Sequence, residues 1–407
     1  MNEIKLFLSQ PKNTRILLLT SFLYAFVLPV VDIFVAAYIM RNSADVSRVV
    51  LYQLTVYTGI PITFLINGYL LNNIKPNYLY AFGMILSGVS MLIMTSLPEL
   101  NYAGIGIAGM IMGMSFGFFW SNRDYLVLVS TNDNNRNYYY GIETFFNTVT
   151  FVVVPVTVGW FIERAAAMYW VDSINGAYRL IIYAVILLTV CSSLLISTGK
   201  YKKPNQPRFI YFKFHTIWKK MIQMAVAKGL VQGFIVTAPA MLIMKLVGEE
   251  GTLGAAQSVG SLITAFMMYI IGRNTRPAHR LKILAISLLL FMIGSLINSI
   301  FFNAASVLFF LLCMIVARPM LDLAYFPIQM KIIDYVSAIE KRNEYAYIFN
   351  HEVGLYIGRF IGCTTFILIA IYVSDIAALK ITLPLVTILQ GACYFIAVKV
   401  LKEIDNS

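Results

Sequence analysis

Lys202-Lys203-Pro204-Asn205-Gln206-Pro207-Arg208 lies at the heart of the longest break in an otherwise apolar chain of 407 residues. Two prolines and three bases in seven positions rule out a membrane-crossing helix there. Outward from it, six apolar runs precede the break, at about 15–40, 49–71, 77–97, 102–129, 141–162 and 178–198. Six follow, at about 218–247, 252–272, 281–302, 304–332, 347–373 and 377–400. Each run is long enough to cross a ~30 Å hydrocarbon layer. The expected fold class is an all-α integral membrane protein of twelve transmembrane helices. Residues 1–198 would form a first six-helix bundle, 199–220 a cytoplasmic linker and 221–407 a second six-helix bundle.

Hydrophobic residues make up 59% of the chain and charged residues 12%, against about 45–50% and 25% in soluble domains. The mean hydropathy of +0.76 agrees. Loops this short leave no room for a soluble catalytic domain, so the activity must reside among the helices. A net charge of +12 would suggest nucleic acid in a soluble protein, but here the bases collect in alternate segments: Met1 to Arg15, Lys200 to Lys220, Arg273 to Lys282, Lys341 to Arg342 and Lys399 to Lys402. The positive-inside rule then puts both termini and the central loop in the cytoplasm, with the chain in the plasma or inner membrane. No nucleic-acid partner is expected. The polar start, Met1 to Thr14, is followed by a run too long for a signal-peptide core, so span one is expected to stay in place.

Cys191, Cys313, Cys363 and Cys393 fall within spans without paired or metal-like spacing, and read as small apolar residues. No metal or cofactor is expected. No nucleotide-binding loop of the Gly-x-x-x-x-Gly-Lys-Ser/Thr kind occurs, which excludes ATP as the driver.

The halves repeat one another. Gly59, Ile62, Thr63, Asn73, Lys75 and Pro76 recur at a constant offset as Gly260, Ile263, Thr264, Asn274, Arg276 and Pro277. Arg136-Asn137-Tyr138-Tyr139 recurs as Arg342-Asn343-Glu344-Tyr345. Matches in corresponding loops point to a parallel duplication.

Six plus six helices, a basic central loop, both ends inside and a parallel repeat together resemble the major facilitator superfamily of secondary transporters. In the loop after span two, Gly68-Tyr69-Leu70-Leu71-Asn72-Asn73-Ile74-Lys75-Pro76 keeps the glycine, the leucine and one base of that family's signature, but Asn72 stands in place of its aspartate. Of the antiporters' proline-glycine motif in span five, only Pro155 and Gly159 remain. The resemblance implies that helices one, four, seven and ten line a central cavity, with three, six, nine and twelve outside them.

Charges inside the membrane cost ~2.5 to 3.5 kcal/mol each and usually face the bundle interior. Spans three, six, nine and twelve carry none across their apolar cores. Asp32 lies in span one, Arg123 and Asp124 in four, Glu143 in five, Lys228 in seven, Arg318 and Asp322 in ten, and Glu352 and Arg359 in eleven. Arg318, Asp322, Tyr325 and Gln329 follow i, i+4, i+7, i+11, and Glu352, Tyr356, Arg359 and Cys363 repeat that spacing, giving each helix one polar stripe. Pro29, Pro61, Pro239, Pro319 and Pro327 free backbone carbonyls and allow bends beside a cavity.

These residues supply three candidate sets. Arg318, Arg359, Tyr325, Tyr356, Trp120 and Gln329 are candidates for binding the solute, since a guanidinium takes a carboxylate or phosphate through two parallel hydrogen bonds. Asp32 and Asp322, with Glu352 third, are candidates for carrying a proton. Arg123, Asp124, Glu143 and Arg342, near the cytoplasmic ends, are candidates for a salt-bridge gate. Structural pairing competes with each role: Arg318 with Asp322, Arg359 with Glu352, and Asp32 with Lys228 or an arginine. Tyr138 to Tyr140, Trp160, Trp170 and Trp218 read as interfacial belt residues. His215 and His279 fall in loops and His351 at a helix end.

The expected function is secondary active transport of a small solute by alternating access, as symporter or antiporter, coupled to an ion, the proton first, by a monomer in the lipid bilayer. Export of amphipathic drugs or lipid-linked molecules is the alternative, and an integral membrane enzyme acting on lipid-linked substrates a remoter one.

Overall fold

A chain without water around it must satisfy its backbone polar groups internally, and helices do this within a single segment. The computed structural model describes residues 3–131, 133–202, 210–274, 279–342 and 344–405. Among them the regular structure is helical throughout. In chain order it comprises α1 (Glu3–Leu8), α2 (Lys12–Ala25), a π-helical turn (Val30–Phe34), α3 (Val35–Ser43), α4 (Val46–Leu70), α5 (Pro76–Ser96), α6 (Tyr102–Ser130), α7 (Asp133–Ala167) and α8 (Ile174–Ser197). It continues as α9 (Thr216–Ile235), α10 (Ala238–Leu246), α11 (Glu250–Asn274), α12 (Arg280–Phe301), α13 (Ala304–Glu340), α14 (Glu344–Tyr372), α15 (Asp375–Gln390) and α16 (Ala392–Asp405).

Eleven stretches of the described helices are long and apolar enough to cross a membrane, with α2 and α3, α9 and α10, and α15 and α16 each counting together as one. The remaining run expected from sequence is α11. It is helical, but its described part carries Thr252, Gln257, Ser258, Ser261 and Thr264 and is not among the eleven. Helices outrun their apolar cores elsewhere: α7 has 35 residues and α13 has 37. At 1.5 Å per residue α13 is about 55 Å long. Hydropathy marks only the part that needs lipid, whereas the hydrogen-bond ladder continues into the polar flank.

Two of the expected bends are interruptions. Helix α2 stops at Ala25 and resumes through the π-helical turn just after Pro29, and α9 stops at Ile235 before α10 opens with Pro239 in its first turn. Pro61, Pro155, Pro319, Pro327 and Pro384 lie inside unbroken helices.

The chain divides into two compact units. Unit 1 comprises Met1–Ser43, Thr55–Gln206 and Glu249–Ser258, and unit 2 comprises Ala44–Leu54, Pro207–Gly248 and Val259–Ser407. In lipid, helices gain little by burying apolar faces against each other, so small residues and interhelical hydrogen bonds must hold them. Unit 1 follows this rule. Ser90 donates to the Ala108 carbonyl at 2.7 Å, Ser115 to that of Gly83 at 2.6 Å and Ser193 to that of Ala81 at 2.9 Å. A Cβ added to Gly59 would lie 2.8 Å from the Cα of Gly113, so α4 and α6 touch backbone to backbone.

Unit 2 has a core around Trp218, Tyr325 and Tyr347. Trp218 is therefore not a belt residue: it is buried, and its ring N–H donates to the Asn350 side chain at 2.8 Å. The first turn of α9 packs inward, which a hydropathy profile does not show. Trp160 and Trp170 are exposed as expected, whereas Tyr139 is buried.

Candidate functional site

Glycine makes the site in unit 2. On α9, Gly229 and Gly233 face Gly354, Gly358 and Gly362 of α14. A Cβ on Gly358 would run into the Val226 carbonyl, and one on Gly229 into the Leu355 carbonyl. This small-x-x-x-small crossing brings the backbones together and sets polar side chains flanking the glycines within reach of the facing helix. Gln232 of α9 accepts from Arg359 of α14, at 3.2 Å from Nε and 2.9 Å from Nη2. Arg359 also pairs with Glu352, one of the structural pairings foreseen, at 3.6 Å.

On the same face of α9, Lys228 donates to Asp322 of α13 at 2.7 Å. The lysine side chain is 3% exposed and the aspartate 34%. The ammonium also lies 4.2 Å from the Tyr325 ring centroid and 4.1 Å from that of Phe326, so carboxylate and π faces together replace its lost hydration. Tyr325 is fully buried, and its hydroxyl is 2.8 Å from the Nε2 of His351. Gln329 is buried one turn below, its Oε1 without a partner among the described groups.

Asp322 thus takes Lys228 rather than Arg318. An arginine four residues ahead of an acid is the less favourable order for a pair along one helix. Arg318 is exposed on α13, and no described ion pair includes it. Tyr356 is half-buried on α14. Asp32 is half-buried within the π-helical turn of unit 1, whereas Lys228 is held inside unit 2.

Three residues of the expected gate come together in unit 1. Arg123 of α6 binds Glu143 of α7 through both its Nε, at 3.1 Å, and its Nη2, and it reaches Asp124 at 2.6 Å. Tyr139 donates to Glu143 at 3.2 Å and meets the Ser21 hydroxyl at 3.3 Å. Burial, reinforced by the Glu143 charge, pushes the Tyr139 phenol well above its ordinary value, so it stays a neutral donor. Trp120 is exposed beside this cluster, its ring centroid 6.0 Å from the Arg123 guanidinium carbon. Arg342 belongs to unit 2. It pairs with Glu340 at 3.3 Å, donates to the Lys213 carbonyl and covers the Tyr211 ring at 4.5 Å. Arg136 and Asn137 have no described side chain, and Lys203 to Arg208 lie outside the described residues.

Two features went unread in the sequence. His351 is two turns inside α14 rather than at its end, because that helix starts at Glu344. Arg41 forms a two-pronged pair with Glu250 within unit 1, and Tyr178 donates to the same carboxylate at 3.3 Å. The glycine spacing on α9 and α14 was a legible signal for the first site. Nothing local marks the second, whose charged partners are 209 residues apart.

No protein-family model matches the chain. In sequence it is similar to the uncharacterised Bacillus subtilis (strain 168) protein YqgE, 21% identical over 391 residues, which covers 94% of this chain and 89% of that protein. It is also similar to an uncharacterised Geobacillus stearothermophilus protein from the sodM 3' region, 25% identical over 182 residues, 44% of this chain and 81% of that one. In structure it is similar to the nucleoside transporter NupG, with a TM-score of 0.67 at 10% identity over 96% of this chain and 100% of that one. A bacterial metal transporter gives 0.65 at 14% identity over 96% and 99%. The chain shares the major facilitator fold with these membrane transporters, as the sequence resemblance implied.

Proposed function

We propose that this protein is a secondary active transporter that works by alternating access and couples the movement of a small anionic solute to protons through Asp322. The observation that carries the reading is the unequal burial of the Lys228–Asp322 pair. Asp322 is open enough to exchange a proton, while the ammonium it compensates is enclosed. Protonating the carboxylate leaves Lys228 buried with only ring faces and its own hydration deficit, a state that costs several kcal/mol. The helices α9 and α13 then have reason to rearrange, so the proton changes the balance between conformations. Arg318 supplies the anion preference. It stands one turn from Asp322 near the middle of span ten, where lipid exposure would cost ~2.5 to 3.5 kcal/mol, so its exposure supports a water-accessible hollow. The names of the structural neighbours supply solute classes to try first, nucleosides and metal ions. Carboxylates and phosphate esters extend the panel.

The test is solute-driven proton movement in sealed proteoliposomes carrying an internal pH dye. The wild-type protein should acidify or alkalinise the lumen with at least one solute of the panel, and Asp322→Asn should move the solute without the proton or not at all. Undiminished proton flux in Asp322→Asn overturns the assignment. Arg318→Gln should raise the concentration of an anionic solute needed for half-maximal flux by about tenfold, the worth of one charge-assisted contact.

A further inference from the structure

The Lys228 ammonium stands against one face of α13. It donates to Asp322 and lies 4.2 Å and 4.1 Å from the ring centroids of Tyr325 and Phe326, which come three and four residues later on the same helix. Gln329 is the next rung. It follows Tyr325 by four residues and Phe326 by three, the spacings that make side chains neighbours on a helix surface. Long helical side chains lean toward the preceding turn, so the Gln329 carboxamide reaches back toward the two rings. Gln329 is 4% exposed, and its Oε1 has no hydrogen-bond partner among the described groups. A buried acceptor left without a donor is costly and calls for a reason. Other acceptors of this cluster are engaged: the Gln232 carbonyl oxygen takes Arg359, Glu352 pairs with the same guanidinium, and the His351 Nε2 meets the Tyr325 hydroxyl. Arg359 and Cys393 also act on the ammonium electrostatically, but the guanidinium repels it and the thiol donates to the Met224 carbonyl.

We infer that Gln329 is a second seat for the Lys228 ammonium. When Asp322 is discharged by a proton, the ammonium moves about one turn along α13, across the Tyr325 and Phe326 rings, and donates to the Gln329 Oε1. The proton goes to the carboxylate and the lysine keeps all of its own. An Nζ–H···Oδ1 bond is exchanged for an Nζ–H···Oε1 bond, so the enclosed charge retains an acceptor. The ring faces hold the cation in passage. Gln329 is thereby a positioning residue for the switch, and the inference rests on the discharge of Asp322 proposed above.

Asp322→Asn imitates the discharged acid, so a double-mutant cycle on the full chain in mixed micelles, read as the unfolding equilibrium, tests the seat. Gln329→Leu alone removes an acceptor that has no donor and should leave the equilibrium unchanged or favour the folded state. Combined with Asp322→Asn, it should put the folded-to-unfolded ratio about tenfold below the product of the two single effects, the worth of a hydrogen bond to a charged group. Asp322→Asn/Gln329→Glu, which carries the carboxylate to the second seat, should recover most of the loss caused by Asp322→Asn. An additive cycle, or a Gln329→Glu combination no more stable than Asp322→Asn alone, overturns the inference. The cycle reads folding and not flux, so the two failures are distinct: undiminished proton flux in Asp322→Asn removes the coupling role of Asp322, whereas additivity removes the seat.

Discussion

Two buried ion pairs, one in each unit, are built in opposite senses. In unit 2 the enclosed member is the cation: Lys228 is 3% exposed and Asp322 is 34%. In unit 1 it is the anion: Glu250 is 2% exposed and Arg41 is 27%. Both pairs contain one part-exposed group and one enclosed group. The difference lies in how each carboxylate is held. Asp322 is a part-exposed carboxylate with one lysine partner, whereas Glu250 is enclosed and gripped by an arginine fork and a tyrosine. Under the proposed function the Asp322 pair is the one that switches, and the Glu250 pair the one that holds.

This contrast predicts that the order of single-substitution effects reverses between the units. Arg41→Met strands Glu250 and should have the largest effect, about 3–5 kcal/mol of stability, read as unfolding of the purified protein. Glu250→Gln leaves only an exposed guanidinium and should cost clearly less. Equal effects would mean that burial does not set the cost. Asp322→Asn strands Lys228, but the pair is part-exposed on the Asp322 side, so about 2–3 kcal/mol is expected, against less for Lys228→Met, which leaves only the part-exposed carboxylate.

A substitution that leaves both pairs intact sharpens the comparison. Gly358→Ala drives a methyl into the Val226 carbonyl, and parting α9 from α14 should cost about 1–3 kcal/mol. It should also separate Gln232 from Arg359, which a double-mutant cycle would show as lost coupling. Tyr325→Phe keeps the ring under Lys228 and removes only the hydrogen bond to His351, for about 1 kcal/mol. Glu352→Gln breaks a long, part-exposed pair and should change stability by less than about 1 kcal/mol.

The membrane architecture was legible because hydropathy is a property of consecutive residues. The polar stripe on α13 was legible for a similar reason: helical periodicity puts Asp322, Tyr325 and Gln329 on neighbouring faces. The pairing was not. Asp322 has an arginine one turn away in sequence yet binds a lysine 94 residues away, because the α9 face that carries Lys228 is brought to it by packing. His351 was misread from a helix boundary, since the polar first turn of α14 gives no hydrophobic signal. Trp218 was misread because an aromatic near a span end looks the same in sequence whether it meets lipid or a core.

By itself the sequence determined that the chain is helical and membrane-spanning, and that its costly charges sit on particular helices, because lipid imposes those conditions on each segment separately. Only the tertiary structure decided which charge meets which and how much water each sees. Helix crossings fix that, and here they depend on glycines that let distant backbones touch, Gly229 against Leu355 and Gly358 against Val226.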